Sequence, residues 1–328
     1  MKDSIDGVVK NAEKFKFAKF RFYLHPLEPI ILSNYKGSIL RGGFGYLFKK
    51  AVCINYNRSC ERCVLKNKCA YAYIFETPFP QNLEEKTKFK MAYPPHPYIL
   101  EPPFNSQVIF NPDDEFTFNL ILIGKGIEYL PYFLFVFEEL GRSGLGKGRG
   151  RYKLARVENI EGETIYHSDQ LENKENQINF QDILNQYQGV EFNNNSQITI
   201  HFLTPIRIVV GEELVQEVNF KMFITNLLRR ISLLSVFHCS EKLVFDYLKL
   251  LQDADMIATT EKHFRWYDWE RYSSKQDRRM KLGGFLGNIS FSGELKRFLP
   301  FIKLGEYIHI GKQTSFGLGQ YEIIEEFY

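Results

Sequence analysis

Gly148-Arg149-Gly150-Arg151-Tyr152-Lys153-Leu154 and Gly317-Leu318-Gly319-Gln320-Tyr321-Glu322-Ile323 follow one pattern, Gly-x-Gly-x-Tyr-x-aliphatic. Upstream of each lies a second match. His25-Pro26-Leu27-Glu28-Pro29-Ile30-Ile31-Leu32 parallels His201-Phe202-Leu203-Thr204-Pro205-Ile206-Arg207-Ile208, and both read as a first strand running into a bend. The openings lie 176 residues apart (25 to 201) and the closings 169 (148 to 317), a spacing that suits two copies of one architecture. After each opening comes a stretch with apolar residues at helical spacing, 35–53 and 220–239. Aromatic-rich strands follow, then a second helix, then the Gly-rich turn into a final strand. In the first copy the second helix is expected at 128–140 despite Pro131. In the second copy a short helix is expected near 293–301, with 307–310 leading into the closing loop. That order is the split β-α-β unit of a ferredoxin-like fold. The expected fold is therefore α+β, with two tandem ferredoxin-like (RRM-like) domains at 1–156 and 198–328. An acidic, Asn/Gln-rich stretch at 157–197 reads as a linker or peripheral insertion, and a Cys-rich knot at 53–69 sits inside the first domain.

Composition fits this reading. With 44% hydrophobic and 25% charged residues over 328 positions, each of two domains has enough apolar material for a core, and disorder as the main state is excluded. Aromatics at 16% suit many short, half-buried strands better than a helical bundle. The apolar run from Leu130 to Phe137 is far shorter than the roughly 20 residues of a membrane helix. Residues 1–14 hold no apolar signal segment, so a soluble cytoplasmic protein without a membrane partner is expected.

The net charge of +3 conceals a strong segregation. Residues 141–156 carry six basic and no acidic side chains, 157–197 are net −7, and 262–312 are net +6. Two separate basic regions suit an extended polyanion, RNA or DNA. The first holds Arg142, Lys147, Arg149 and Arg151 among closely spaced glycines, a composition that lets the main chain approach phosphates while the cations neutralise them. A tight turn alone would account for two or three of the glycines but not for the cations. The loop lacks the Lys-Ser/Thr ending of a Walker motif and the acid of a dinucleotide fold. The second basic region contains Lys275, Arg278 and Arg279, placed to clamp a nucleic-acid stem or its base through phosphates, or else to form the solvated face of a hairpin.

Cys53, Cys60, Cys63 and Cys69 lie within seventeen residues, while Cys239 stands apart. In a reducing compartment thiolates this close suggest a shared metal, and four of them would close a tetrahedral zinc site. The spacing also allows an iron–sulfur cluster. If Cys53 is instead a packed helix residue, equivalent to Cys239 by the repeat, only three ligands remain.

The segment His309-Ile310-Gly311-Lys312-Gln313-Thr314-Ser315-Phe316-Gly317-Leu318-Gly319-Gln320-Tyr321 joins glycines to a histidine, a lysine and small hydroxyl residues. Together with Gly37-Ser38-Ile39-Leu40-Arg41-Gly42-Gly43-Phe44-Gly45 and the duplicated halves, it resembles the CRISPR precursor-RNA processing endoribonucleases of the RAMP superfamily, over about 17–321. The resemblance implies cleavage within a CRISPR repeat by attack of a ribose 2′-OH on the adjacent phosphate, with no catalytic metal. Products would carry a 2′,3′-cyclic phosphate and a 5′-OH. Partners would be precursor crRNA and, where a complex forms, CRISPR effector subunits.

Such a reaction needs a base, an acid and cations. Of the seven histidines, His167 and His96 lie in peripheral contexts, His25 and His201 share a repeat position, His238 closes an apolar helix, and His263 neighbours aromatics. His309, three residues before Lys312, has the context best suited to chemistry. Relatives place a histidine on the first helix. Here none occurs between His25 and His96, and Tyr46 stands where one is expected, among Lys49, Lys50 and the candidate RNA-binding cations Lys36 and Arg41. The candidate catalytic set is therefore His309, Tyr46 and Lys312. The missing helix histidine keeps open a non-catalytic RNA-binding subunit of an effector complex. A metal-dependent DNA nuclease with an iron–sulfur knot is disfavoured, because no spaced Asp/Glu/His set accompanies it.

Overall fold

The computed structural model describes residues 9–55, 59–79, 94–172, 174, 176–188, 196–210, 213–215, 217–268, 270–273, 278–281 and 283–327. The chain divides into two compact units: Lys16–Ile178 with Leu233–Ser240, and Met1–Phe15 with Asn179–Ser232 and Glu241–Tyr328.

The first unit runs β1 (Lys16–Pro26), α1 (Gly37–Val52), β2 (Tyr98–Glu101), β3 (Phe116–Ile123), α2 (Leu130–Ser143) and β4 (Tyr152–Asn159). Its sheet is ordered β2-β3-β1-β4 with every pair antiparallel, the ferredoxin-like arrangement. Alternation along β1 sends Ala18, Phe20, Phe22 and Leu24 to one face, where they meet Phe116, Phe118, Leu120 and Leu122 of β3. The register sets Phe22 opposite Phe118, with ring centroids 4.9 Å apart. Over this face α1 lays Leu40, Phe44 and Phe48 at four-residue steps, and α2 lays Phe133, Phe137 and Leu140. Phe44 stacks on Phe133 at 4.4 Å, so much of the aromatic content is core. Pro131 falls in the first turn of α2, where a missing N–H breaks no helical bond.

The acidic stretch takes the form of a sheet extension. β4 passes the expected boundary at 156, and β5 (Thr164–His167) and β6 (Gln170–Leu171) add antiparallel strands outside it. The stretch then ends in α3 (Phe180–Gln186), a helix of the other unit. Asn179 begins that helix with a reciprocal cap: its side chain accepts from the Asp182 N–H, and Asp182 accepts from the Asn179 N–H.

The second unit continues with β7 (Gln197–Ile206), α4 (Phe220–His238), β8 (Ala258–Tyr267), a hairpin of β9 (Glu270–Ser273) and β10 (Arg278–Lys281), β11 (Gly284–Ser292), α5 (Leu299–Ile308) and β12 (Tyr321–Phe327). Its sheet, β8-β11-β7-β12, repeats the first order. One local expectation is corrected. The second helix, expected near 293–301, instead spans Leu299–Ile308.

The repeated Gly-x-Gly-x-Tyr pattern has a physical meaning. Tyr152 donates its buried hydroxyl to the Phe137 carbonyl of α2 at 2.7 Å, and Tyr321 donates to Ile302 of α5 at 2.6 Å. A glycine on each helix leaves the room. A Cβ at Gly141 would lie 2.4 Å from the Tyr152 carbonyl, and one at Gly305 would lie 2.0 Å from the Tyr321 hydroxyl. No helix among the described residues is long and apolar enough to cross a membrane.

Candidate nucleic-acid interface

The first Gly-rich loop connects α2 to β4. Gly144, Gly146 and Gly148 adopt φ of 85°, 75° and 86°. A Cβ at Gly144 would meet the Arg149 carbonyl at 2.1 Å, at Gly146 the Ile31 carbonyl at 2.1 Å, and at Gly150 the Pro29 carbonyl at 2.3 Å. Those three glycines serve close packing. Gly148 differs: nothing lies within 4 Å of its Cβ position. The N–H groups of Gly144, Leu145, Lys147 and Arg149 are bonded within the unit, so a backbone that reads phosphates along its whole length is not what forms. The open part is the tip.

The loop cations divide in the same way. Arg142 pairs with Glu139 one turn earlier on α2, and Arg151 forms a two-nitrogen bond to Glu28, with Nε at 2.9 Å. The guanidinium holds the Glu28 carboxyl below its usual range. Lys147 and Arg149, on either side of Gly148, are exposed and have no ion-pair partner among the described residues. Arg149 holds this place at φ 54°, a left-handed conformation that costs a non-glycine residue about 1 kcal/mol or more.

Two predicted cations on α1 change role. Lys36 is 1% exposed; its Nζ donates to the Asn105 carbonyl at 2.8 Å, and burial holds its pKa below the usual lysine value. It anchors the start of the helix and is not available to phosphate. Arg41 lies over the Phe75 ring at 4.4 Å, with Nη2 3.4 Å from His96 Nε2. An arginine only donates, so His96 Nε2 accepts and Nδ1 carries the proton toward Thr77 Oγ1 at 3.2 Å. Thr77 in turn donates to the Tyr73 carbonyl and sits at φ 44°. Sequence reasoning set His96 aside as peripheral. It lies 55 positions from Arg41 inside a proline-rich segment, and no local pattern links the two.

Tyr46 is 63% exposed on α1, and Lys50 one turn later is exposed as well. His309 is fully buried at φ 59°, with Nδ1 3.1 Å from the Leu318 carbonyl. It clasps the second loop and offers no surface to a phosphate. Thr314, Ser315, Phe316, Leu318 and Gln320 are buried with it, and a Cβ at Gly319 would lie 1.8 Å from the Ile310 carbonyl. This loop is packed inward, against the expectation of an open chemical site. Lys312 alone of the predicted pair reaches solvent. His238 is buried as expected, accepting from Tyr73 and donating to the Pro95 carbonyl at 2.8 Å.

In the basic segment around 271–281, Glu270–Ser273 and Arg278–Lys281 pair as antiparallel strands, with Tyr272 in register with Arg279 and Ser273 with Arg278. Lys275 lies outside the described residues. The cysteine segment gives the expected metal no support. Among the described residues no three His, Cys, Asp or Glu side chains gather as a metal requires, and Cys53, Cys60, Cys63 and Cys69 are all among them. Burial, then Glu76, raises the Cys60 thiol pKa, with smaller contributions from Cys53 and Cys69. These three are electrostatic neighbours without forming a ligand cage.

A family model described as an N-terminal domain, AF_1859_N, matches residues 15–179, and the model for CRISPR-associated endoribonuclease Cas6 matches 200–321. An uncharacterized protein of Archaeoglobus fulgidus is 24% identical over 319 residues, 93% of this chain and 96% of the relative. Among solved structures, Thermus thermophilus Cas6 aligns at TM-score 0.54 and 13% identity, over 94% of this chain and 99% of that one. A chain of a partial Cas6-RT-Cas1–Cas2 complex aligns at 0.57 and 12% identity over 95% of this chain. This chain spans only 46% of that longer one.

Proposed function

The chain belongs to the Cas6 family of CRISPR-associated endoribonucleases, and on that premise we propose that it binds CRISPR repeat RNA and cuts precursor crRNA without a metal. In this reading the 2′-hydroxyl oxygen attacks the neighbouring phosphorus and the bond from phosphorus to the 5′-oxygen breaks. The hydroxyl proton passes to a base and a proton reaches the departing oxygen, leaving a 2′,3′-cyclic phosphate and a 5′-OH. The observation that carries RNA binding is the tip of the first loop, where Gly148 is open and Lys147 and Arg149 have no ion-pair partner among the described residues. For proton transfer, Tyr46 presents an exposed phenol, and the half-buried His96, held by the Arg41 guanidinium at its Nε2, is the second candidate. Lys312, on the second unit, is an exposed cation available to an RNA phosphate. His309 has no part in proton transfer.

A second reading, a non-catalytic RNA-binding subunit, is favoured by the burial of His309 and by the absence of a histidine from α1. One experiment separates them. The purified chain is incubated with its cognate repeat RNA in excess EDTA, beside Tyr46→Phe, His96→Ala and Lys312→Ala. A single cut ending in a cyclic phosphate is expected, slowed about 100-fold or more by loss of a proton-transfer group. Binding without a cut establishes the second reading.

A further inference from the structure

Beside the open loop tip lies a cavity of about 530 Å³ that belongs wholly to the first unit. Its lining joins the buried Leu32, Leu140 and Leu145 and the half-buried Ile39 to the exposed Lys147 and Arg149. The volume falls within the range of small-ligand sites, and an apolar interior with cations only at the mouth is the division of chemistry within a nucleotide. Ile31 at the edge is 40% exposed, so apolar surface is already presented there to solvent. The charge pattern is selective: Arg142 and Arg151, to either side, are neutralised by Glu139 and Glu28, while Lys147 and Arg149 are not.

We infer that this slot takes one unpaired nucleotide of the bound RNA, its base against Leu32, Ile39, Leu140 and Leu145 and its phosphate against Lys147, Arg149 and the open Gly148. The inference rests on the RNA-binding reading and adds to it a subsite for an unstacked base, remote in sequence from every group assigned to proton transfer except those on α1. Strained backbone at Arg149 fits the same purpose, since it fixes a cation beside the slot. A base seated on apolar walls contributes through its face, so the subsite requires a base without strongly selecting which one.

The test uses the full chain in EDTA and the labelled cognate repeat RNA, intact and with a single abasic nucleotide at each position in turn. Ser33→Trp, an exposed position at the slot lip, fills the mouth, and Ile31→Ser removes an exposed apolar edge. Melting curves confirm that both variants fold. For the wild type, loss of the base at one position or two adjacent ones is expected to weaken binding about 10-fold. Ser33→Trp should bind intact RNA about 10-fold more weakly and show no further loss at that position, and Ile31→Ser should fall between. An abasic scan that is flat, or identical in wild type and Ser33→Trp, overturns the slot while leaving RNA binding intact. A wild-type chain that binds no repeat RNA overturns the functional reading itself.

Discussion

Tyr152 and Tyr321 hold equivalent buried hydroxyls, each bonded to a carbonyl of the second helix of its own unit. Burial raises both well above the ordinary tyrosine pKa. Each carbonyl also lies inside a helix, so removing the phenol oxygen forfeits one hydrogen bond without orphaning a backbone group. Tyr152→Phe and Tyr321→Phe are each expected to lower unfolding stability by about 1 kcal/mol, read from urea midpoints. A second effect concerns Cys239, whose pKa burial pushes up from 9.0 to about 12. A thiol with a raised folded-state pKa favours folding fully below pH 9, and that contribution is lost as pH rises from 9 toward 12. The loss is at most about 1.4 kcal/mol per pH unit over this window, and the buried tyrosines act in the same direction. Urea titrations at pH 8 and 10.5 should show falling stability, with a shallower fall in Cys239→Ala. His309 and Tyr46 show what residue-level reading could not reach: sequence context identifies a histidine near glycines, but only packing reveals which side chain meets solvent.

Helix α1 contains glycines that a free-standing helix would reject at about 1 kcal/mol each. Gly45 is required because a Cβ there would lie 2.2 Å from the Phe75 ring. Gly42 has nothing within 4 Å. Gly42→Ala should therefore stabilise the protein by about 1 kcal/mol, while Gly45→Ala should destabilise it by about 1–3 kcal/mol through overpacking. Thermal melts of the two variants should shift in opposite directions. The same element was legible from its periodicity, since Leu40, Phe44 and Phe48 recur on one face. α5 was legible only in part: a short helix is expected near 293–301, whereas the helix runs from Leu299 to Ile308. Leu299, Pro300, Phe301, Ile302, Leu304, Gly305 and Ile308 are all buried, leaving only a narrow polar side of Lys303 and Glu306 to mark its period and its end. For the cysteine segment, spacing records how near thiols can come, and whether the backbone turns them toward one point is a separate, tertiary question.

Across the molecule, RNA affinity should report which cations remain available. Arg142 and Arg151 are neutralised by carboxylates, whereas Lys147 and Arg149 are not. In a plot of log affinity against log salt, Lys147→Ala and Arg149→Ala should each flatten the slope by about 0.7, the value for one phosphate contact on a single strand. Arg142→Ala and Arg151→Ala should leave it nearly unchanged. A uniform change across the four would show that the ion pairs open on binding. The sequence by itself determined the two ferredoxin-like halves, because alternation in strands, helical spacing and the repeated Gly-x-Gly-x-Tyr pattern are local signals that survive without coordinates. Only the tertiary structure decided which charges and histidines face solvent, that Lys36 and His309 are buried, and that Arg41 meets His96. Those outcomes depend on contacts between residues distant in sequence, where burial and pairing are set by the packing of whole elements and leave no trace in spacing.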